Sequence, residues 1–88
     1  MIVRQFEVLN ELGLHARVAS RIVRETRKFD SSVIAKKNGR DFDLKNVTGV
    51  ITFNAKRGDI VTIEFSGADE ATAAEGLELL FKDKFGEK

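Results

Sequence analysis

A single histidine stands in the chain, His15, with Gly13 two positions before it and Arg17 two positions after. Those residue types at that spacing suit chemistry on an anion. A neutral imidazole presents one ring nitrogen with a free lone pair, able to attack an electrophilic phosphorus. A guanidinium offers paired donors to phosphate oxygens. Because a phosphorus–nitrogen bond on imidazole breaks readily, a group taken up there can be handed on when a partner supplies a second nucleophile in line. The pattern points to a carrier of phosphoryl groups rather than to an enzyme with independent turnover. The competing explanation is a surface histidine that merely caps a helix after a glycine turn.

Other chemistries find little support. A transition-metal site needs several convergent ligands, and one histidine with no cysteine leaves only carboxylates to complete it, so no metal or other cofactor is expected. Ser20 and Glu11 lie near His15 in sequence, but there is no nucleophile elbow, and 88 residues leave little room for a substrate cleft. Neither G-x-x-x-x-G-K nor G-x-G-x-x-G occurs.

The element that must position His15 is the helix following it. Ala19, Ile22, Val23 and Thr26 recur at i, i+3, i+4, i+7, closed by Phe29, which predicts a helix from about Ala16 to Lys28. Its first amides lack partners inside the helix, and the peptide dipoles add partial positive charge there. A phosphoryl group on the ring would then face the N–H groups of Ala16, Arg17 and Val18, with the Arg17 guanidinium beside them. Arg17, Arg21, Arg24 and Lys28 form a basic stripe along the opposite side. Gly13 can supply the positive φ for a tight approach to His15.

Around this helix the rest of the chain reads as a small sheet with two more helices. Ile2, Phe6 and Val8 suggest a half-buried strand over about residues 2–9. Val33–Lys37 and Arg40–Leu44 are strands joined by Asn38-Gly39, a dipeptide suited to a type I′ hairpin turn. Asn46 N-caps a short helix carrying Val47, Val50 and Ile51, and Ile60–Phe65 is a strand with Val61, Ile63 and Phe65 on one face. Asp69 N-caps a closing helix that buries Ala73, Ala74, Leu77, Leu80, Phe81 and Phe85; Gly76 within it calls for a packing reason, such as close approach to the sheet. The order is β-α-β-β-α-β-α, an α+β domain with helices on one face of a mostly antiparallel sheet.

Composition sets the outer bounds. With 42% hydrophobic and 33% charged residues, the chain is expected to form one domain spanning residues 1–88. Neither a membrane-spanning run nor a secretory signal is recognised, and the lack of cysteine suits a reducing compartment, so a cytoplasmic location without membrane insertion is expected. Fifteen basic residues against fourteen acidic ones leave no general excess for nucleic acid. The seven phenylalanines are spread as core residues rather than gathered into a stacking platform, so no nucleic-acid partner is expected.

Gly13-Leu14-His15-Ala16-Arg17 resembles the active-site signature of the HPr family, the histidine-containing phosphocarriers of the phosphoenolpyruvate-dependent sugar phosphotransferase system. The similarity continues in register through Lys28-Phe29-Asp30-Ser31, Asn38-Gly39, Leu44-Lys45, Gly49-Val50, Gly58 and Ser66-Gly67-Ala68-Asp69-Glu70. The resemblance implies an open-faced β-sandwich: four antiparallel strands in the order 1-4-2-3, with three helices on one face. It implies that His15 accepts a phosphoryl group on Nδ1 from enzyme I and donates it to the sugar-specific enzyme II A components, with Arg17 neutralising the charge. It further implies a docking surface of Ala16, Ser20, Arg24, Arg27, Val47, Thr48 and Ile51. A monomer is expected.

Two positions depart from the family pattern. Val18 stands where proline is usual, restoring a backbone N–H but relaxing the fixed φ. Asn46 stands where many Gram-positive members carry a regulatory serine; it caps a helix as well as serine does but offers no hydroxyl to a kinase. These departures motivate an alternative function, a regulatory module of the same fold acting on a transcription factor or metabolic enzyme.

Overall fold

The computed structural model describes residues 1–88. The elements are β1 (Ile2–Glu7), α1 (Ala16–Thr26), β2 (Ser32–Lys37), β3 (Arg40–Asp43), α2 (Val47–Phe53), β4 (Ile60–Ser66) and α3 (Glu70–Lys82), followed by a short 3₁₀ turn over Lys84–Gly86. The four strands form one antiparallel sheet in the order β1-β4-β2-β3, with the three helices on one face. β1 pairs Ile2 with Phe65 and Phe6 with Val61, while β2 sets Ala35 opposite Ile63 on β4 and Phe42 on β3. At the hairpin tip Asn38 and Gly39 both adopt positive φ, 53° and 76°, as a type I′ turn requires.

That register puts Phe6, Val33, Ala35, Phe42, Val61, Ile63 and Phe65 into one core of 23 buried residues, together with the apolar stripes of the helices. Phe6 stacks on Phe81 with ring centroids 4.8 Å apart, and Phe85 meets Phe81 edge-on at the same separation. Phe42 tilts onto Phe53, and Phe29 packs against the core from its margin. All seven phenylalanines are thus committed to packing.

Element boundaries differ from the periodicity in small, explicable ways. α1 stops at Thr26 rather than Lys28, because Lys28 N–H bonds to the Glu25 carbonyl and Phe29 N–H to that of Thr26, tightening the final turn. The buried Thr26 hydroxyl donates to the Leu44 carbonyl at 2.8 Å, tying this helix end to the residue after β3. β1 ends at Glu7, since Val8 exchanges its backbone bonds with Gly58 and Asp59 in the turn before β4.

Two expectations need correction. Asp69 precedes α3 as anticipated, but its carboxylate does not cap that helix. It accepts instead from the Asp30 and Ser31 N–H groups, each at 2.9 Å, and from the Ser31 hydroxyl, clasping the start of α3 to the entry of β2. Gly76 approaches α1 and its exit rather than the sheet: a Cβ there would lie 2.9 Å from Glu25 Oε2 and 3.3 Å from Phe29 Cζ.

Candidate active site

The turn that delivers His15 is built by Asn10 and Gly13. Asn10 is fully buried, and its side-chain amide donates to the Gly13 carbonyl at 2.7 Å. Gly13 takes φ +65° and passes so close to the α2–β4 loop that a Cβ would sit 2.6 Å from the Ala55 carbonyl oxygen. Leu14 then inserts into the core and donates its N–H to that same oxygen at 3.0 Å. With Leu14 anchored, His15 occupies the N-cap of α1 in an extended conformation, φ −79° and ψ 179°.

The His15 carbonyl accepts the first intrahelical bond, from Ala19 N–H at 2.8 Å. The three preceding amides, those of Ala16, Arg17 and Val18, have no backbone acceptor. No side chain caps them either. The helix is held by Val18, Ala19, Ile22, Val23 and Thr26, all buried. Val18 therefore has an evident purpose: its side chain is inside the core, where it fixes the first turn by packing.

Sequence reasoning missed the residue that meets His15. Glu87 Oε1 lies 2.9 Å from His15 Nε2, while Arg17 binds the same carboxylate twice, Nε to Oε2 at 2.7 Å and Nη2 to Oε1 at 3.0 Å. The Arg17 bond, then the His15 bond, hold the Glu87 carboxyl down at about 2, so it is ionised across the physiological range. The carboxylate in turn raises the pKa of the guanidinium. No spacing rule joins residue 87 to residue 15, because the contact depends on how α3 ends. Lys84 and Phe85 take positive φ, 54° and 56°, Gly86 takes 75°, and the Phe85 ring is buried against Phe81. The chain thereby turns back toward α1, and the Lys88 carbonyl accepts the Glu11 N–H at 2.7 Å.

The His15 side chain remains 25% exposed. Two shallow clefts lie at the site, one lined by the Arg17–Glu87 pair and the other by His15 itself. One, of about 330 Å³, is lined by Glu11, Leu12, Arg17, Gly86, Glu87 and Lys88. The other, of about 430 Å³, carries Lys56 and Arg57 beside His15 and Leu12, placing further positive charge near the ring. These two cations were not among the residues singled out from sequence, since they belong to the turn before β4.

The anticipated docking residues are brought partly together. Ala16, Ser20 and Arg24 are exposed on α1, and Val47, Thr48 and Ile51 are exposed on the neighbouring α2. Arg27 is less free, because its Nε donates to the Lys45 carbonyl at 3.0 Å. Asn46 accepts from Thr48 N–H at 2.8 Å and Gly49 N–H at 3.4 Å, the N-cap that the sequence indicates.

Residues 2–83 match the family model described as "PTS HPr component phosphorylation site". The phosphocarrier protein HPr of Xylella fastidiosa (strain Temecula1) is 34% identical over 87 residues, covering 99% of this chain and 98% of the relative. That of Cupriavidus necator is 38% identical over 87 residues, again covering 99% and 98%. Among solved structures, HPr-C-His from Thermoanaerobacter tengcongensis superposes with a TM-score of 0.93 at 32% identity, covering 100% of this chain and 99% of the other. Fold and similarity together define a phosphoryl carrier of the phosphotransferase system. The chain belongs to the HPr family.

Proposed function

We propose that Nδ1 of His15 accepts the phosphoryl group from phosphorylated enzyme I and passes it to sugar-specific enzyme II A components. The observation that carries this reading is the single histidine at the N-cap of α1, beside three unpaired amides and Arg17. Unpaired amides at a helix start receive an oxyanion without reorganising, and the helix dipole favours negative charge there. Nε2 is already engaged by Glu87, which supports Nδ1 as the attacking atom.

Docking would use the exposed face of α1 and α2, with Ala16, Ser20, Val47, Thr48 and Ile51 in contact and Arg24 and Arg27 at a basic rim. Such a rim raises encounter rates with acidic partner surfaces and sets orientation. Val47 and Ile51, 39% and 45% exposed, provide the apolar centre such a surface needs. The chain would work as a single-domain monomer in the cytoplasm; no helix is long and apolar enough to cross a membrane.

Incubation with phosphoenolpyruvate and enzyme I should add one acid-labile phosphoryl group, located on His15 by fragmentation. An unchanged intact mass with cognate enzyme I, or a stable adduct retained by His15→Ala, would refute the assignment.

A further inference from the structure

Building on the carrier function of His15, we propose that Leu12, Lys56 and Arg57 form a second docking lip beside His15, which enzyme I receives in an apolar recess bordered by carboxylates. The interface then runs across the histidine, from the exposed face of α1 and α2 to this lip, instead of stopping at the helices. The two parts are continuous, since only Asn54 and Ala55 separate the end of α2 from Lys56. A donor that brings phosphorus to the His15 ring has to pass over Leu12, which lines the same cleft.

Leu12 is a residue whose identity the core does not explain. Its side chain is 70% exposed, yet it is rigidly presented. Gly13 N–H bonds to the Asn10 carbonyl at 3.3 Å, and the buried Asn10 amide bonds back to the Gly13 carbonyl, closing a turn with Glu11 and Leu12 at its tip. The Lys88 carbonyl holds Glu11 N–H at 2.7 Å. Turn tips ordinarily take glycine, proline or small polar residues. Leu12 lines both clefts at the site and so forms part of the ridge between them. An apolar side chain on a backbone already fixed loses little freedom when a partner covers it, which makes it an efficient anchor.

The cations of the lip are as firmly placed. Lys56 N–H donates to Asp59 Oδ2 at 2.8 Å, Asp59 N–H returns a bond to the Lys56 carbonyl at 2.9 Å, and Gly58 N–H donates to the Val8 carbonyl at 2.8 Å. The Lys56 and Arg57 side chains are exposed and enter no ion pair, whereas Arg17 is bound to Glu87. Against these two cations the cleft carries one carboxylate, Glu11. The Asp59 carboxylate is turned to the Lys56 N–H and borders a separate cleft with Lys37 and Phe53. The free positive charge beside His15 therefore sits on the α2–β4 loop, and carboxylates on the partner complement it. Charges so placed raise encounter rates and fix the orientation in which the donor reaches the ring.

The test is the steady-state rate of phosphorylation by cognate enzyme I and phosphoenolpyruvate, with the chain as the varied substrate. The unmodified chain is compared with Leu12→Ser, Lys56→Glu, Arg57→Glu and, as a control on the edge strand β1, Arg4→Glu. Leu12→Ser should raise KM about tenfold at every salt concentration while kcat holds, since a leucine withdrawn from a buried contact forfeits at least that factor. Lys56→Glu and Arg57→Glu should each raise KM about fivefold at low salt. That increase should shrink at ~1 M salt, where the screening length falls to about 3 Å. Arg4→Glu should match the parent. KM values for all three lip variants equal to the parent's would overturn the proposal, as would a fall in kcat at unchanged KM, which would place these residues in the chemical step. A Leu12→Ser chain that fails to fold is recognised by its circular dichroism melt, and the two charge reversals on exposed side chains then decide the matter. An unmodified chain that takes no phosphoryl group would instead refute the carrier function on which the lip depends.

Discussion

Replacing Gly13 by alanine should disable the turn that presents His15, and the structure allows the cost to be worked out. Alanine at φ +65° incurs the left-handed penalty of about 1 to 2 kcal/mol. The added Cβ would lie 2.6 Å from the Ala55 carbonyl oxygen and 3.0 Å from Lys56 Cα, and both are backbone atoms that cannot rotate away. Relieving the clash means lengthening the 3.0 Å bond from Leu14 N–H to Ala55, and a backbone group left unpaired costs about 1 to 3 kcal/mol. The total centres on about 3.5 kcal/mol, which for a domain of this size lowers Tm by about 14 to 28 °C. Gly39→Ala is the internal control: φ is +76° there, yet nothing lies within 4 Å of the new Cβ, so only the conformational penalty of about 1 to 2 kcal/mol applies. Thermal unfolding followed by circular dichroism compares the two directly. If Gly13→Ala melts at or above Gly39→Ala, the close approach to the α2–β4 loop does not hold the turn.

Other perturbations separate site from scaffold. Arg17→Ala should slow phosphoryl transfer in a stopped-time assay and lower Tm only modestly, by a few degrees at most, because the guanidinium is bonded to Glu87 but is itself 72% exposed; a larger stability loss would make Arg17 structural. Asn46→Ala removes the side-chain bonds to Thr48 and Gly49 and should cost about 1 kcal/mol in denaturant unfolding. Leu77→Ala, at a fully buried position, should cost about 2 to 5 kcal/mol by the same measurement. Asp69 is held below its usual carboxyl value first by the Ser31 hydroxyl and then by the Asp30 N–H, and Glu87 is lowered from 4.5 to about 2. Both folded values are depressed, so their stabilisation is complete above the unfolded carboxyl values and is lost as pH falls through the folded ones. Tm should therefore decline on acidification, and Asp69→Asn should decline less steeply than the parent between neutral pH and pH 3.

Where information was local, the sequence was readable. Asn38-Gly39 demands two positive φ values and obtains them, and the spacing of Ala19, Ile22, Val23 and Thr26 defines the buried stripe of α1. His15, Arg17 and the free amides lie within four consecutive residues, so one helix start sufficed to locate them. Asp69 shows the limit: a residue with a good capping profile spends its carboxylate on the tertiary partners Asp30 and Ser31 rather than on the helix's own amides, a choice that only the folded arrangement sets. Glu87 was out of reach for the same reason, since its place depends on three successive positive φ values after α3 and on the burial of Phe85. Asn10, just past the strand anticipated over residues 2–9, is fully buried, and its bond to the Gly13 carbonyl makes it part of the frame of the site.

The strand order also dictates a timetable for biosynthesis. Ile2 emerges early but pairs with Phe65, so at about 5 to 20 residues per second β1 waits roughly 3 to 13 s for its neighbour to be made. Only the β2–β3 hairpin, α1 and α2 can form from nearby residues in that interval; β4, which lies between β1 and β2, closes the sheet on both sides at once. A nascent chain lacking β4 leaves β1 without any strand to join, and the residues that carry the chemistry leave the ribosome well before the strand that completes their support.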